Sequence, residues 1–215
     1  MGSDREGDRP LTSEMDAPVA GAVSEEDRMR AAIYALLSRL LGKPMDSETI
    51  AFVRGLSGDD SDLGRAVSSL AALAQRTTQV VAEEEFSTLF YGFGAGGELA
   101  PYGSQYLTGF VYEKPLADLR RDLEELGIGR VDEMKEPEDH IAFICEVMHG
   151  LITGAFGAPV GLDRQHKFFQ RHLAPWAGRF FADLEKAKSA VVYMPVGTIG
   201  RLFMEIERDS FGFEQ

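Results

Sequence analysis

Between Glu136 and Ile152 the chain reads Glu-Pro-Glu-Asp-His and then Ile-Ala-Phe-Ile-Cys-Glu-Val-Met-His-Gly-Leu-Ile, and this stretch limits the fold more than any other. Ile141, Ile144, Cys145, Met148, Leu151 and Ile152 recur every three or four positions, the stripe of a helix packed on a core. Pro137 suits the first turn of a helix, since its missing N–H has no intrahelical partner there in any case. Glu136, Glu138 and Asp139 add negative charge where the helix dipole is positive. The spacing therefore predicts a buried helix opening at Pro137, with Asp139, His140 and further carboxylates at its mouth. That mouth is the first candidate for a working site.

Helical signals fill the rest of the chain. Ser24 reads as an N-cap before Glu25, Glu26 and Asp27, and Met29, Ile33, Leu36, Leu37 and Leu40 form an apolar face that Gly42 and Pro44 end. Asp46 or Ser47 caps a shorter helix through Ile50, Val53 and Leu56, and a third carries Leu63, Val67, Leu70, Leu73 and Ala74. The β-branched pair Thr77-Thr78 weakens the pattern ahead of a helical segment from Gln79 to Phe90. Residues 91–104 contain Gly92, Gly94, Gly96, Gly97, Pro101 and Gly103, too much glycine for a helix and too irregular for strands. A loop of that length inside a compact domain is uncommon and often functional. Tyr106 to Tyr112 leans towards helix, and Pro115 opens a clearer one through Leu116, Leu119, Leu123 and Leu126, closed by Gly127. Beyond the central helix, which ends at Thr153-Gly154, further helices are expected over 163–173, from Pro175 and after Met194-Pro195.

Alternating strand patterns are absent almost everywhere, and no internal repeat is visible, so the expected class is all-α. The predicted organisation is one helical bundle over 24–215 behind a flexible, disordered tail at 1–23. That tail is rich in Gly, Ser, Asp, Glu and Pro and cannot bury enough surface to offset its ordering entropy. A chain of 215 residues can bury roughly 70 per cent of its unfolded surface, so it needs no staples to fold. Cys145 is the one cysteine, which excludes a disulfide within the chain, fits a reducing compartment and reads as a small buried hydrophobe.

The net charge of −13, from 35 acids against 22 Lys and Arg, argues against nucleic acid, whose phosphates call for clustered Lys and Arg. A basic peptide or cationic ligand would instead be drawn in. No apolar run approaches the roughly 20 residues that span a bilayer. The stretch Met1 to Asp16 is polar and has no apolar leader segment, so the expected location is the cytoplasm.

Common catalytic signatures are mostly missing. There is no Gly-x-x-x-x-Gly-Lys-Ser/Thr loop, and the glycines of 92–97 follow a helix rather than a strand. Glu146-Val-Met-His149 has the spacing that di-iron bundles use, but such sites need two copies and two more glutamates. His166 and His172 lie six apart and would not share a helical face. Ser104, His140 and Asp139 could be imagined as a hydrolase or nucleotide site with the 91–104 loop, yet Ser104 lacks the Gly-x-Ser-x-Gly elbow. Adjacent Asp139 and His140 would also point about 100 degrees apart on a helix. Asp139 and His140 could equally bind a guanidinium or an amide through charged hydrogen bonds.

Four segments occur in a telling order: Glu85-Phe-Ser-Thr-Leu-Phe90, Pro101-Tyr-Gly-Ser104, Glu136-Pro-Glu-Asp-His140 and His172-Leu-Ala-Pro-Trp176. Together they resemble the TorD/DmsD family of redox-enzyme maturation chaperones, related to the NarJ-type chaperones, over roughly residues 28–210. The resemblance implies an all-helical fold without catalysis or a cofactor of its own. It implies a protein that binds the twin-arginine signal peptide of a molybdenum-cofactor oxidoreductase and holds the apo catalytic subunit back from export until the cofactor is inserted. Carried over from the family, the peptide-binding surface would be Leu89, Phe90, Pro101, Tyr102, Ser104, Glu136, Pro137, Asp139 and His140. Guanine nucleotide or the molybdenum cofactor stay open as further ligands, and monomer or domain-swapped dimer as the assembly. One departure is visible: many relatives carry tryptophan beside the loop proline, where this chain has Tyr102. His172 and Trp176 read as core.

Overall fold

The computed structural model describes residues 23–92, 96–129 and 136–212. The flexible tail expected at 1–23 falls, but for Val23, outside them. Among the described residues the regular structure is helical, apart from one isolated bridge. The helices are α1 (Glu25–Gly42), α2 (Ser47–Arg54), α3 (Asp62–Ala74), α4 (Gln79–Phe86), α5 (Gly103–Thr108), α6 (Lys114–Glu125), α7 (Ile141–Thr153), α8 (Leu162–His172), α9 (Ala177–Lys186) and α10 (Met194–Gly212), with a π-helical turn at Ser87–Tyr91. No described helix is long and apolar enough to cross a membrane.

Side-chain caps start each of the first four helices. Ser24 Oγ accepts from the Asp27 N–H at 3.0 Å, Asp46 Oδ1 from Thr49 at 2.8 Å, Ser61 Oγ from Gly64 at 3.0 Å and Thr78 Oγ1 from Val81 at 3.4 Å. Each satisfies a donor that has no partner inside its helix. The start of α10 is held differently, because the buried Glu85 carboxylate accepts from the N–H groups of Val191, Val192 and Tyr193 at 2.7, 3.1 and 2.8 Å. Glu85 thereby ties α4 to the chain that enters α10.

The core sits where α7 lies along α1 and α9 lies along α10, with α3 against α10 and α2 against α3. Nine of the 13 residues of α7 are buried, so it has almost no solvent face. Cys145 is completely buried, and the apolar surroundings push its thiol well up, which leaves it inert.

Two expectations need correction. The central helix opens at Ile141 rather than Pro137, and His140 is its N-cap, with Nδ1 accepting from the Ala142 N–H at 3.1 Å. The reason is a distant competitor for backbone hydrogen bonds. The Asp139 carbonyl accepts from the Gly103 N–H, and the Ile141 N–H donates to the Pro101 carbonyl, both at 2.9 Å. Residues 136–140 are thus drawn against 101–103, where Tyr102 and His140 form the isolated antiparallel bridge. The helix expected to run from Gln79 to Phe90 likewise gives way after Phe86 to the π-helical turn. Here the returning chain takes the carbonyls: Glu98 N–H donates to Thr88 and Leu99 N–H to Leu89. Gly97 makes that crossing possible, since a Cβ there would stand 2.5 Å from the Leu89 oxygen.

Candidate functional site

Three of the four sequence segments meet at one place. Asp139 Oδ2 accepts from the Ser104 N–H at 2.7 Å and so caps the short helix α5. Trp176 lies on Gly103, where a Cβ would come within 3.1 Å of the indole, and its Nε1 donates to the His172 carbonyl at 2.7 Å. Tyr102 and His140 meet edge to face with ring centroids 5.3 Å apart. Between these segments opens a cavity of about 190 Å³, lined by Gly103, Leu107, Asp118, Asp139, His172 and Trp176, among others.

The polar groups of these segments and of their neighbours on α6 and α8 divide sharply. Glu138 is clamped by Arg120, whose Nε and Nη2 both reach Oε2, at 3.0 and 2.7 Å. Asp122 accepts from Arg171 at 2.9 Å and lies 2.7 Å from His172 Nε2. By contrast, among the described residues Asp139 Oδ1 and Ser104 Oγ are buried without a hydrogen-bond partner. Buried polar atoms nearly always have one.

Glu136 is half-buried and accepts a 2.5 Å hydrogen bond from the Tyr102 hydroxyl. Burial, the bond to Glu136 and the neighbouring phenols of Tyr112 and Tyr91 together hold the Tyr102 phenol well above its ordinary value. Burial also raises the Tyr91 phenol, with Glu136 adding to it. Tyr91 and Tyr102 thus both face the Glu136 carboxylate. Burial lowers His140 to about 4, against the opposing pull of Glu136 and Asp139. At neutral pH the imidazole is uncharged, with Nδ1 accepting, and it adds no positive charge to the mouth. His172 is lowered as well, by burial that outweighs its bond to Asp122.

The residues expected to form a peptide-binding surface are therefore unequally placed. Glu136, Tyr102 and Phe90 are half-buried; Pro101, Ser104, Pro137, Asp139 and His140 are buried, Asp139 lining the cavity. Leu89 has no exposed surface at all. Phe90 packs its ring against Phe86, Phe180 and Tyr193 at 4.8, 6.5 and 6.1 Å, on the far side of the glycine crossing. Leu89 and Phe90 enter the expected surface through the family resemblance; here Leu89 packs in the core on the buried face it shares with Ala82 and Phe86, and Phe90 is half-buried. His172 and Trp176 are core residues, as read, yet both also line the cavity. Sequence reasoning missed Asp122, Arg120 and Tyr112. Asp122 carried a readable signal, a carboxylate on the inner face of α6 in register with Leu119 and Leu123.

Of the arrangements considered for catalysis, the Ser104–His140–Asp139 triad is not assembled. His140 Nδ1 is taken by Ala142, and Asp139 reaches the Ser104 backbone rather than either side chain. Among the described residues no group of three His, Cys, Asp or Glu could hold a metal ion. Glu146 is exposed, and His149 Nδ1 faces the Ala31 carbonyl at 3.0 Å.

Comparison with known proteins relates the chain to a family and its fold to a solved structure. The family model described as nitrate reductase delta subunit matches residues 57–182, over half of the chain. The chaperone protein TorD of Vibrio atlanticus is 25% identical over 203 residues, covering 84% of this chain and 94% of that protein. TorD of Photobacterium profundum is 30% identical over 145 residues, covering 60% of this chain and 66% of its own length. The crystal structure of a putative redox enzyme maturation protein from Archaeoglobus fulgidus superimposes with a TM-score of 0.56 at 19% identity, covering 82% of this chain and 94% of that one, a likeness of fold.

Proposed function

The chain belongs to the TorD/NarJ family of redox-enzyme maturation chaperones, and on that premise we propose that it is a cytoplasmic chaperone for the twin-arginine signal peptide of a molybdenum-cofactor oxidoreductase. It holds the apo catalytic subunit until the cofactor is inserted, and releases it for export. The observation that carries the reading is the acidic mouth at residues 136–140. Glu136 is half-buried and bonded to Tyr102, Asp139 lines a cavity and among the described residues has one carboxylate oxygen unpartnered, and His140, on which both carboxylates act, is neutral. A guanidinium is planar, permanently charged and rich in donors, and it matches a carboxylate better than any other side chain. The internal clamp of Arg120 on Glu138 shows the same chemistry two residues from Glu136. The charge of −13 draws a basic leader towards the protein and is screened by salt.

Calorimetric titration with leader peptides from formate dehydrogenase, nitrate reductase and sulfoxide or N-oxide reductase precursors tests this. Saturable binding of at least one peptide is expected, lost when its two arginines are replaced by glutamine. Binding to none of them, or binding indifferent to the arginines, contradicts the reading.

A further inference from the structure

The best-exposed apolar side chains near the site are none of those that the sequence singled out. Leu107 near the end of α5 and Phe110, Val111 and Tyr112 in the turn that follows are all exposed, Phe110 to 69% and Tyr112 to 67%. Single exposed apolar residues are ordinary, but four within six positions form a patch that water disfavours. The turn is constructed to hold them there. Gly109 ends α5 at φ 84°, and the Thr108 hydroxyl donates to the Ser104 carbonyl at 2.9 Å while accepting from the Phe110 N–H at 3.3 Å. Tyr112 sits at φ 64°, a left-handed conformation uncommon for a bulky residue. The patch adjoins the site on both sides: Leu107 lines the cavity with Asp139, and Tyr112 is near enough to Tyr102 and Arg120 to act on both electrostatically.

We propose that this turn, residues 107–112, is the seat of the apolar stretch that follows the arginine pair of the bound leader peptide, with the arginines at Glu136 and Asp139. The inference rests on the peptide-binding reading above and assigns to Phe110 and Tyr112 the contact that Leu89, being buried, cannot make. Charge selects the occupant. A second copy of this chain would add a molecule of the same net charge, −13, whereas a leader that is basic at one end and apolar beyond matches the carboxylates and the ridge in sequence. A stable dimer also buries on the order of 1,200–2,000 Å², far beyond four side chains. Extended or helical peptides commonly anchor a few apolar side chains in this manner.

The test compares wild-type protein with the Phe110→Ser/Tyr112→Ser double variant, using one leader peptide from the panel that binds and a control in which its apolar stretch is replaced by glycine and serine. Both positions are exposed, so far-ultraviolet circular dichroism and the melting temperature should not change; Phe110→Ser alone serves if the pair perturbs folding. The variant is expected to lose about tenfold or more in affinity for the intact leader and to match wild type within about twofold for the control. Equal affinity of wild type and variant for the intact leader overturns the inference while leaving the peptide-binding reading standing. So does a variant that differs only in sedimenting as a smaller species, which would assign the ridge to a second copy of the chain. If wild type binds no leader, the underlying reading fails first, and the ridge assignment with it.

Discussion

Two buried polar clusters in this protein are built to opposite standards. Where α1 meets α10, Arg30 donates to both oxygens of Glu207 at 2.7 and 3.0 Å, and Tyr34 donates to the same carboxylate at 2.8 Å. Arg30 also reaches Asp27 at 2.7 Å and Gln165 at 3.1 Å, and Gln165 in turn donates to the Val160 carbonyl at 2.7 Å. Every charge there has its counterpart. At the mouth of α7, Asp139 and Ser104 are as deeply buried, yet each keeps an atom without a partner among the described residues. A complete network joins elements 177 residues apart and specifies the fold. An incomplete one beside a cavity forgoes stability that a ligand's donors can restore. On the proposed reading, the difference separates what holds this chain together from what it would offer to a leader peptide.

The largest expected effect tests the complete cluster. Glu207→Gln leaves the Arg30 charge buried with only Asp27 to balance it, and should cost about 3–5 kcal/mol in urea unfolding. Affinity of the folded protein for the leader should be unchanged; loss of binding at full folding would blur the contrast. Next comes pH. Since His140 titrates near 4 when folded and near 6.5 when unfolded, the unfolded chain takes up a proton first as pH falls. Stability is therefore lost between about pH 6.5 and 4, by up to about 3 kcal/mol. His140→Asn should flatten that part of the profile, His172 supplying what slope persists; an unaltered profile would mean that His140 is not held neutral.

Asp139→Asn sharpens the contrast from the other side. The amide oxygen can still accept from Ser104, so the melting temperature should barely move, while leader affinity falls by about 1–3 kcal/mol. A large fall in melting temperature at unchanged affinity would make Asp139 a cap and nothing more. The smallest effect is expected at half-buried Glu136. Glu136→Gln should weaken binding by less than about 1 kcal/mol at physiological salt, with the difference growing as salt is lowered. Independence from salt would remove the electrostatic part of the account.

How much of this was legible in the sequence depends on the range of the interaction concerned. Helix faces and the Ser24 cap are local, and they were readable from spacing and residue type alone. The central apolar stripe was equally readable, but its starting residue was not. The partners that move the start from Pro137 to Ile141 lie about 35 residues earlier in the chain, where residues 101–103 take the backbone hydrogen bonds. Leu89 comes from the family resemblance rather than from the pattern of its own helix, where its spacing from Ala82 and Phe86 places it on the buried face. Phe110 and Tyr112 were passed over because an apolar run in a segment that reads as helical looks like core, and the turn that exposes it begins only at Gly109. The motif residues of the site were visible; which of them reach the surface was a tertiary matter.

The most direct test of the central claim is a double-mutant cycle between protein and peptide. Leader affinity would be measured for wild type and Asp139→Asn, each with the intact leader and with one whose arginines are glutamine. If the carboxylate meets the guanidinium, the two changes are non-additive, with a coupling of about 1 kcal/mol or more. Strict additivity would show that the acidic mouth and the arginine pair act independently, which contradicts the account.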